Sequence, residues 1–520
     1  MSWQLRLRNG IDRALAVSIA TMVLGSALAF GGAVWWARPV LAALAVLIAA
    51  LMVARGTLEG RMRMLKSPLA GLGLLAIGLA VLQLVPLPAS IAGKVSSRSH
   101  DAYARGLLSD VVLADDPEAV LPEPSTLRSA VSVDRAATLR WAVGAMTCLC
   151  LFWAVSHFAD RLQRLNLVWG AVVWAFYLNT ALALVQLGGQ SSGLLGTFGP
   201  GSGRSWAPTA DDLLSVPNQT HFRVLSDERV GQAAWGVDRP ERPMNLGTLM
   251  GGPGAFLALA ALGLPLALGM TLQSMAPRGS RETLLSRLDT SGQGGFVLLG
   301  TVLGLGGAVL IGAIAGPLLV LPFVLSVLLV GLPAAWPSGL RWSALGATSL
   351  VVVALAGGVK LGESSLMPEA ARSWVARDGW HDTSVLWKEA ARIGRDFPLM
   401  GAGMGTFPTV LPLYKEADAA TTTAQSSLLR LWAEAGLAGI GLAGIAALWG
   451  LIKLPAAIRR VGSADRVLST SLVGATVGFG VFSAVHWSVE TTAVAMAASA
   501  LGGTLNRWLA GATDLFIERD

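Results

Sequence analysis

Three arginines in one polar segment have the chemistry needed to bind a phosphorylated group. Arg223, Arg239 and Arg242 lie in a stretch rich in glycine, proline, serine and aspartate. A guanidinium group can hold a phosphate or pyrophosphate by paired hydrogen bonds, so these arginines are candidate ligands of a pyrophosphate. The alternative is a solvated loop in which carboxylates such as Asp227 and Glu241 neutralise the arginines locally.

A second basic group lies on a predicted amphipathic helix over residues 384–397. Apolar residues recur there at the spacing of one helix face, and basic residues recur on the opposite face. The apolar set is Leu386, Ala390, Ile393 and Phe397, and the basic set is Lys388, Arg392 and Arg395. The basic stripe could meet a pyrophosphate, although lipid headgroups or water are the favoured partners. Pro398 is expected to end the helix.

Three alternating glycines follow this helix at positions 401, 403 and 405. Glycine permits a tight backbone turn, and two interpretations of the turn are open. The favoured one is a plain structural turn, and the other is a nest of backbone amides that binds an anion. The segment lacks the context of a P-loop or of a dinucleotide-binding fingerprint.

The elements that must position these residues are long and apolar. The chain is 53% hydrophobic and 14% charged, with a mean hydropathy of +0.59. A helix needs about 20 apolar residues to cross a hydrocarbon core of roughly 30 Å. We therefore predict an all-α, polytopic integral membrane protein that forms one membrane domain over residues 1–520. The predicted spans are 14–33, 35–54, 68–86, 136–157, 166–188, 247–271, 294–313, 315–335, 341–360, 429–452, 469–489 and 491–509.

The distribution of basic residues predicts the orientation of these spans. One set of short loops contains most of them, including Arg55, Arg61, Arg161 and Lys453, whereas the opposite short turns contain almost none. Positive charge stays cytoplasmic, so both termini are predicted inside. Because the basic residues are divided among short loops, a nucleic-acid partner is not expected. The long outer segments, where function is expected, are 87–135, 189–246 and 361–428.

The roles of a few residues within or beside the spans have two possible interpretations each. His486 and Glu490 are four apart at the end of the eleventh predicted span, either as a functional intramembrane pair or as a structural pair at the interface. Trp387 is a membrane-interface anchor or a sugar platform. Cys148 and Cys150 are two apart on one helix and point in different directions, so we predict neither a disulfide nor a metal site.

The order of several motifs between about residues 80 and 505 resembles the O-antigen ligase family, which includes related polymerases and protein O-oligosaccharyltransferases. Its pattern near the large outer loop is a tryptophan, a Pro-Leu-x-Gly-x-Gly-x-Gly-Thr-Phe segment, an Ala-His-Asn-Ser segment and a Glu-x-Gly-x-x-Gly helix entry. The matching segments here are QLVPLP at 83–88, GTL at 247–249, LPL at 264–266, Trp387, PLMGAGMGTF at 398–407, AQSSLL at 424–429 and EAGLAG at 434–439.

The resemblance implies a role in the assembly of cell-surface polysaccharide such as lipopolysaccharide. A glycan would pass from an undecaprenyl-pyrophosphate carrier to an acceptor at the outer face of the inner membrane, without a metal or another cofactor. Membrane lipids and the lipid-linked glycan are the implied partners, and the family-like core covers about residues 245–455. The implied catalytic residues are His381, Gln425 and Arg430. The implied substrate-binding residues are Arg223, Arg239, Arg242, Trp387, Gly401, Gly403, Glu434, His486 and Glu490.

Three positions depart from the family pattern. The histidine of the family falls on Gln425, and two of its arginines fall on Thr383 and near Ala315. Glutamine can orient a hydroxyl group but is a poor base, so an alternative is a degenerate paralogue that binds a lipid-linked glycan or an enzyme partner. A second alternative is a secondary transporter, although the nearly charge-free spans and the lack of an internal repeat disfavour it.

Overall fold

The computed structural model of this chain is helical. It describes residues 3–29, 31, 36–60, 65, 67–101, 103, 129–189, 252–275, 300–308, 380–414, 426–460, 466–486 and 491–511. The main helices are α1 (Trp3–Leu28), α2 (Ala37–Glu59), α3 (Leu69–Leu84), α4 (Ala89–Val95), α5 (Arg135–Phe158), α6 (Leu162–Gly189), α7 (Gly252–Met275), α8 (Trp380–Asp396), α9 (Ser427–Arg460), α10 (Arg466–Val485) and α11 (Thr492–Leu509). These elements confirm the prediction of an all-α fold for the described residues.

Seven of the described helices are long and apolar enough to cross a membrane. They lie at Arg6–Leu28, Ala37–Glu59, Arg135–Phe158, Leu162–Val185, Gly254–Thr271, Ser427–Arg460 and Val467–Ala484, and α3 is a shorter apolar helix. Each overlaps a predicted span. The predicted spans 315–335 and 341–360 lie outside the described residues, so the total of about twelve stays a prediction.

Sequence signals mark several helix ends. Gly60 adopts a left-handed conformation with a φ of 62° and caps the C-terminus of α2, as glycine commonly does. Pro68 immediately precedes α3, where its fixed φ suits a helix start. The backbone of α9 departs from helical geometry at Gly436, with a φ of 62° and a ψ of −157°. This break lies inside the predicted span 429–452.

The chain groups into two compact units. The first contains residues 1–66, 150–379 and 453–520, and the second contains residues 67–149 and 380–452. In the first unit, α7 packs along α6, α10 and α11, and α1 packs against α2, α6 and α11. The prediction of one membrane domain is not tested by this grouping.

Small residues bring the helices of the first unit close together. Cβ atoms added to Gly263 and Gly304 would lie within 3 Å of the Phe176 side chain. A Cβ on Gly269 would lie 1.9 Å from Ser471 Oγ. Glycine at these contacts removes the side chain that would keep two membrane helices apart.

Two arginines and two aspartates form a set of ion pairs at one end of the first unit. Arg55 Nε lies 3.3 Å from Asp12 Oδ1, and Arg55 Nη2 lies 3.2 Å from Asp160 Oδ2. Arg164 Nη1 lies 2.7 Å from Asp160 Oδ1, and Arg164 also pairs with Asp12. These contacts join the N-terminal part of α1, the C-terminal end of α2 and the turn between α5 and α6. Two of the basic residues at this end, Arg55 and Arg164, are therefore locally neutralised.

The C-terminal ends of α5, α9 and α11 meet at this same end. Arg507 Nη1 in α11 donates a hydrogen bond to the Ser156 carbonyl in α5, at 3.2 Å. Just beyond α11, a Cβ added to Gly511 would lie 2.7 Å from Arg460 Nη1 at the end of α9. The first helix therefore begins, and the last described helix ends, at one end of the first unit.

Candidate functional site

The amphipathic character predicted for residues 384–397 is confirmed in α8. Its apolar face is buried, with exposed fractions between 0% and 5% for Leu386, Ala390, Ile393 and Phe397. Its basic residues Lys388, Arg392 and Arg395 are exposed on the opposite face. The apolar face packs against residues that follow in the chain and against the start of α9: Ala402, Phe407, Val410, Leu411 and Ala433. Burial of this face fixes α8 on the rest of the second unit.

The glycines that follow α8 form a turn that requires glycine. Gly401, Gly403 and Gly405 have φ values of 71°, 117° and 76°, a region that other residues rarely adopt. A Cβ on Gly401 would lie 2.1 Å from the backbone carbon of Glu434. A Cβ on Gly403 would lie 2.8 Å from Ser132 Cα. The turn is therefore pressed against two other segments of backbone.

The backbone amides of this turn are bonded within the protein. Ala402 N and Gly403 N donate to the carbonyl oxygens of Ala433 and Glu434, at 2.9 and 3.1 Å. Gly405 N and Phe407 N donate to the two carboxylate oxygens of Glu434, at 2.9 and 3.0 Å. Because these donors are committed, the geometry supports the structural turn and not the anion-binding nest. A substrate contact by Gly401 or Gly403 stays a prediction.

Glu434 and Arg430 form a buried ion pair one helical turn apart in α9. Arg430 Nε donates to Glu434 Oε1 at 2.8 Å, and the two side chains are only 9% and 6% exposed. The Arg430 guanidinium also lies 5.5 Å from the centre of the Phe407 ring, a distance that permits a cation–π contact. The carboxylate thus accepts from two amides and one guanidinium. This geometry gives both residues a role in holding the turn, and their predicted contact with substrate stays a prediction.

Gln83, at the end of α3, completes the same set of bonds. Its side-chain amide donates to the carbonyl oxygens of Met400 and Glu434, at 2.6 and 3.0 Å. Its Oε1 accepts from Met404 N at 3.0 Å, and the residue is fully buried. This glutamine is part of the motif QLVPLP, but the sequence assigns it no role in the site. The available signal was an amide side chain inside an otherwise apolar span.

We expect Gln83→Leu to lower the free energy of unfolding by about 2 to 4 kcal/mol, because the buried groups that Gln83 satisfies lose their partner. Unfolding of the purified protein by dodecyl sulfate would measure the change. Gln163→Leu, at an exposed position in α6, is the matched control and should change stability little. Equal midpoints for the two variants would contradict the role given to Gln83.

The C-terminal end of α8 is held by a second polar contact. Tyr414 donates to Asp396 Oδ2 at 2.7 Å, and Arg98 Nε lies 3.7 Å from the same oxygen. Burial, and then the bond to Asp396, raise the pKa of the Tyr414 hydroxyl. Nearby, Tyr103 donates to the Ser132 carbonyl at 2.8 Å, and burial raises the pKa of its hydroxyl as well. Both tyrosines therefore act as donors at neutral pH.

The predicted site residues fall into three groups. The second unit contains Trp387, Gly401, Gly403, Arg430 and Glu434, of which the last four are brought together. Trp387 is half-buried in α8, and His381 lies in the first turn of α8, where its side chain is not described. The first unit contains His486. The remaining predicted residues lie outside the described part of the chain: Arg223, Arg239, Arg242, Gln425 and Glu490.

His486 follows the last residue of α10 and is largely buried in the first unit. The backbone N–H of His486 donates a hydrogen bond to the Phe482 carbonyl at 2.8 Å, and the centres of the two side-chain rings are 5.4 Å apart. A Cβ added to Gly254, near the start of α7, would lie 2.0 Å from the imidazole Cε1. Gly254 therefore makes room for this ring. The predicted pairing with Glu490 lies outside the described residues.

The cassette formed by Gln83, the turn at 398–407 and the start of α9 joins three segments of the second unit by hydrogen bonds. Its polar side chains are buried and bonded to one another and to backbone. Within the described ranges, no group of three or more histidine, cysteine, aspartate or glutamate side chains could hold a metal ion.

A scan against models of protein families finds no match for the chain, and a search of curated proteins finds no similar sequence.

Proposed function

We propose that this protein is an O-antigen ligase-like enzyme that transfers a glycan from a lipid-pyrophosphate carrier at the outer face of the inner membrane. The observation that carries the proposal is the convergence of three motif segments, 83–88, 398–407 and 434–439, in the second unit. Gln83 bonds to Met400, which lies 317 residues further along the chain, and to Glu434. Glu434 in turn bonds to the glycine turn.

This convergence supports the proposal because the residues of the three motifs share one set of hydrogen bonds in the folded protein. The glutamine bridges two carbonyl groups and an amide, the glycines permit the turn, and the glutamate accepts the amides of the turn. If the motif residues matched the family pattern by chance, there would be no reason for them to bond directly to one another over such large sequence separations. The three segments behave as one structural device.

The proposed reaction requires charge stabilisation and a base. The leaving pyrophosphate needs cations, and the acceptor hydroxyl must lose a proton as it attacks the sugar. We assign the cations to Arg223, Arg239 and Arg242 in the second outer segment. His381 at the start of α8 is the candidate base, and Gln425 orients the acceptor hydroxyl.

The proposed topology follows from the end of the first unit where α1 begins and α11 ends. Basic residues lie at that end, including Arg161 between α5 and α6 and Arg459 in the last turn of α9. Positive charge is retained in the cytoplasm, so we place this end there, with both termini cytoplasmic and the cassette at the outer face.

A second candidate is a degenerate paralogue that binds a lipid-linked glycan, or an enzyme partner, without turnover. The presence of glutamine at position 425, where the family has histidine, favours it. The two candidates differ in whether the pure protein turns over a donor.

Glycan transfer by the protein in proteoliposomes, with a lipid-pyrophosphate-linked donor, separates the two candidates. We expect Arg223→Ala, Arg242→Ala and His381→Ala each to lower kcat by about 100-fold or more, the usual effect of removing one charge-stabilising or proton-transferring group. Arg459→Ala, at the far end of α9, is the matched control and should retain activity. Binding of the donor without turnover would favour the degenerate paralogue. Full activity in all three variants would overturn the assignment of these residues.

A further inference from the structure

The turn after α8 lies level with the start of an apolar helix. Leu437 N and Ala438 N, directly after the break in α9, donate to the carbonyl oxygens of Pro398 and Leu399, at 2.8 and 3.2 Å. From there α9 continues with large apolar side chains exposed on its surface: Leu437, Ile445, Leu448, Leu451 and Ile452. Such a surface is covered by lipid in a membrane protein. The turn therefore marks the depth at which the lipid-covered part of α9 begins.

The end of α3 lies at the same depth. Gln83, one residue before the end of α3, bonds to the Met400 carbonyl in the turn. The last turn of α3 also exposes large apolar side chains, those of Val81 and Leu82. Leu399 in the turn is 53% exposed. Two apolar helices thus end at the turn, which places it at the boundary between hydrocarbon and headgroups.

The basic stripe of α8 begins beside this boundary. With a rise of 1.5 Å per residue, Arg395 lies at most about 5 Å beyond the depth of the turn, and Lys388 at most about 15 Å, with the smallest values for a helix along the membrane surface. The headgroup layer is about 5 to 7 Å thick on each side of a bilayer. Lysine and arginine side chains are long enough to reach toward that layer from slightly outside it. All three basic side chains, including Arg392, are exposed.

The apolar face of α8 is not available to lipid, because it packs against Phe407, Val410 and Leu411. The same part of α8, between positions 384 and 396, contains two acidic residues. Glu389 is buried, and Asp396 contacts Tyr414 and Arg98. The basic side chains exposed on this part of α8 are those of Lys388, Arg392 and Arg395. Contact with the membrane would therefore occur through charge and not through insertion of the helix.

We propose that α8 docks on the headgroups of anionic phospholipids through Lys388, Arg392 and Arg395. A basic residue next to an anionic membrane surface strengthens the association roughly fivefold. Three such residues select anionic over zwitterionic phospholipid beside α8 and hold the outer segment against the membrane. This site is separate from the proposed donor site, because it needs no glycan and no pyrophosphate.

Quenching of a probe next to the stripe tests the docking. The full chain with Cys148→Ser and Cys150→Ser receives Ala391→Cys, labelled with a fluorophore, and enters nanodiscs of phosphatidylcholine. A few per cent of lipid carries a nitroxide near the headgroup, on either phosphatidylglycerol or phosphatidylcholine. We expect severalfold stronger quenching by phosphatidylglycerol, and we expect the difference to shrink in high salt, since screening weakens charge contacts.

The combined variant K388Q, R392Q and R395Q should quench equally with both lipids. The matched control K453Q, R459Q and R460Q removes three exposed basic residues at the other end of α9 and should keep the preference. Equal quenching of the unmodified stripe by both lipids, or a preference that survives loss of the stripe, would overturn the proposal. So would an absence of quenching by either lipid. No glycan donor is present, so failure of this test leaves the proposed transfer reaction standing, and the reverse also holds.

Discussion

Replacement of Glu434 by alanine is expected to lower the free energy of unfolding by about 3 to 5 kcal/mol, the cost of leaving a buried partner charge unpaired. The carboxylate accepts from Gly405 N, Phe407 N and Arg430 Nε, all within 3.0 Å. The variant leaves the guanidinium buried and the two amides without this acceptor. Dodecyl sulfate unfolding and limited proteolysis of the 398–414 region would both report the loss.

The size of this effect should follow the number of bonds removed. Glu434→Gln retains an acceptor and should cost less than Glu434→Ala. Arg430→Met leaves the carboxylate with its two amide donors and should also cost less. Asp101→Ala, at an exposed position in the second unit, is the control and should have little effect. If Glu434→Ala were as stable as this control, the carboxylate could not be what holds the turn.

The second large effect is expected for Gly401→Ala, which should cost more than about 4 kcal/mol or prevent folding. The φ of 71° alone costs a residue with a Cβ about 1 to 2 kcal/mol. The new Cβ would also lie 2.1 Å from Glu434 C and 2.2 Å from Glu434 O. These are backbone atoms, so the contact cannot be relieved by rotating a side chain.

The matched control is Gly144→Ala in α5, where an added Cβ has no neighbour within 4 Å. Because alanine favours a helix more than glycine does, this variant should be up to about 1 kcal/mol more stable than the original protein. The midpoints of dodecyl sulfate unfolding would compare the two. A Gly401→Ala protein as stable as the Gly144→Ala protein would show that the turn is not seated against α9.

The parts of the fold that depend on local patterns could be predicted from the sequence. The apolar and basic faces of α8 follow from spacing alone, because the helix period is fixed. The positions of the described apolar helices follow from composition for the same reason. Long, uncharged runs have few alternatives to helices when water is absent.

The site was harder to predict because its bonds join distant segments. A glutamate at the entrance of an apolar helix suggests a ligand for substrate, but here Glu434 binds backbone amides of a turn about 30 residues before it. Gln83 bonds to partners more than 300 residues away, which no local pattern reveals. The pairing of Arg55 and Arg164 with Asp12 and Asp160 was missed for the same reason.

The proposed reaction depends on the cassette, because the cassette fixes the helix that carries the proposed base. A buried cassette keeps the adjoining ends of α3, α8 and α9 in fixed positions, and the proposed base, His381, lies in the first turn of α8. Catalytic groups need such rigid support, because small displacements of reacting atoms are costly in rate. We therefore expect variants that loosen the turn, such as Gln83→Leu, to lower transfer activity even when the protein remains folded.

Glycan transfer by the purified protein from a lipid-pyrophosphate-linked donor, compared with its Gln425→His variant, tests the proposed function most directly. The proposal predicts measurable turnover by the original protein. Because His381 is the proposed base and Gln425 orients the acceptor hydroxyl, turnover should not require a histidine at position 425. Absence of turnover by the original protein across several donors, with activity gained only in Gln425→His, would contradict the proposal and identify a degenerate binder. Absence of turnover in both proteins would contradict the ligase-like role altogether.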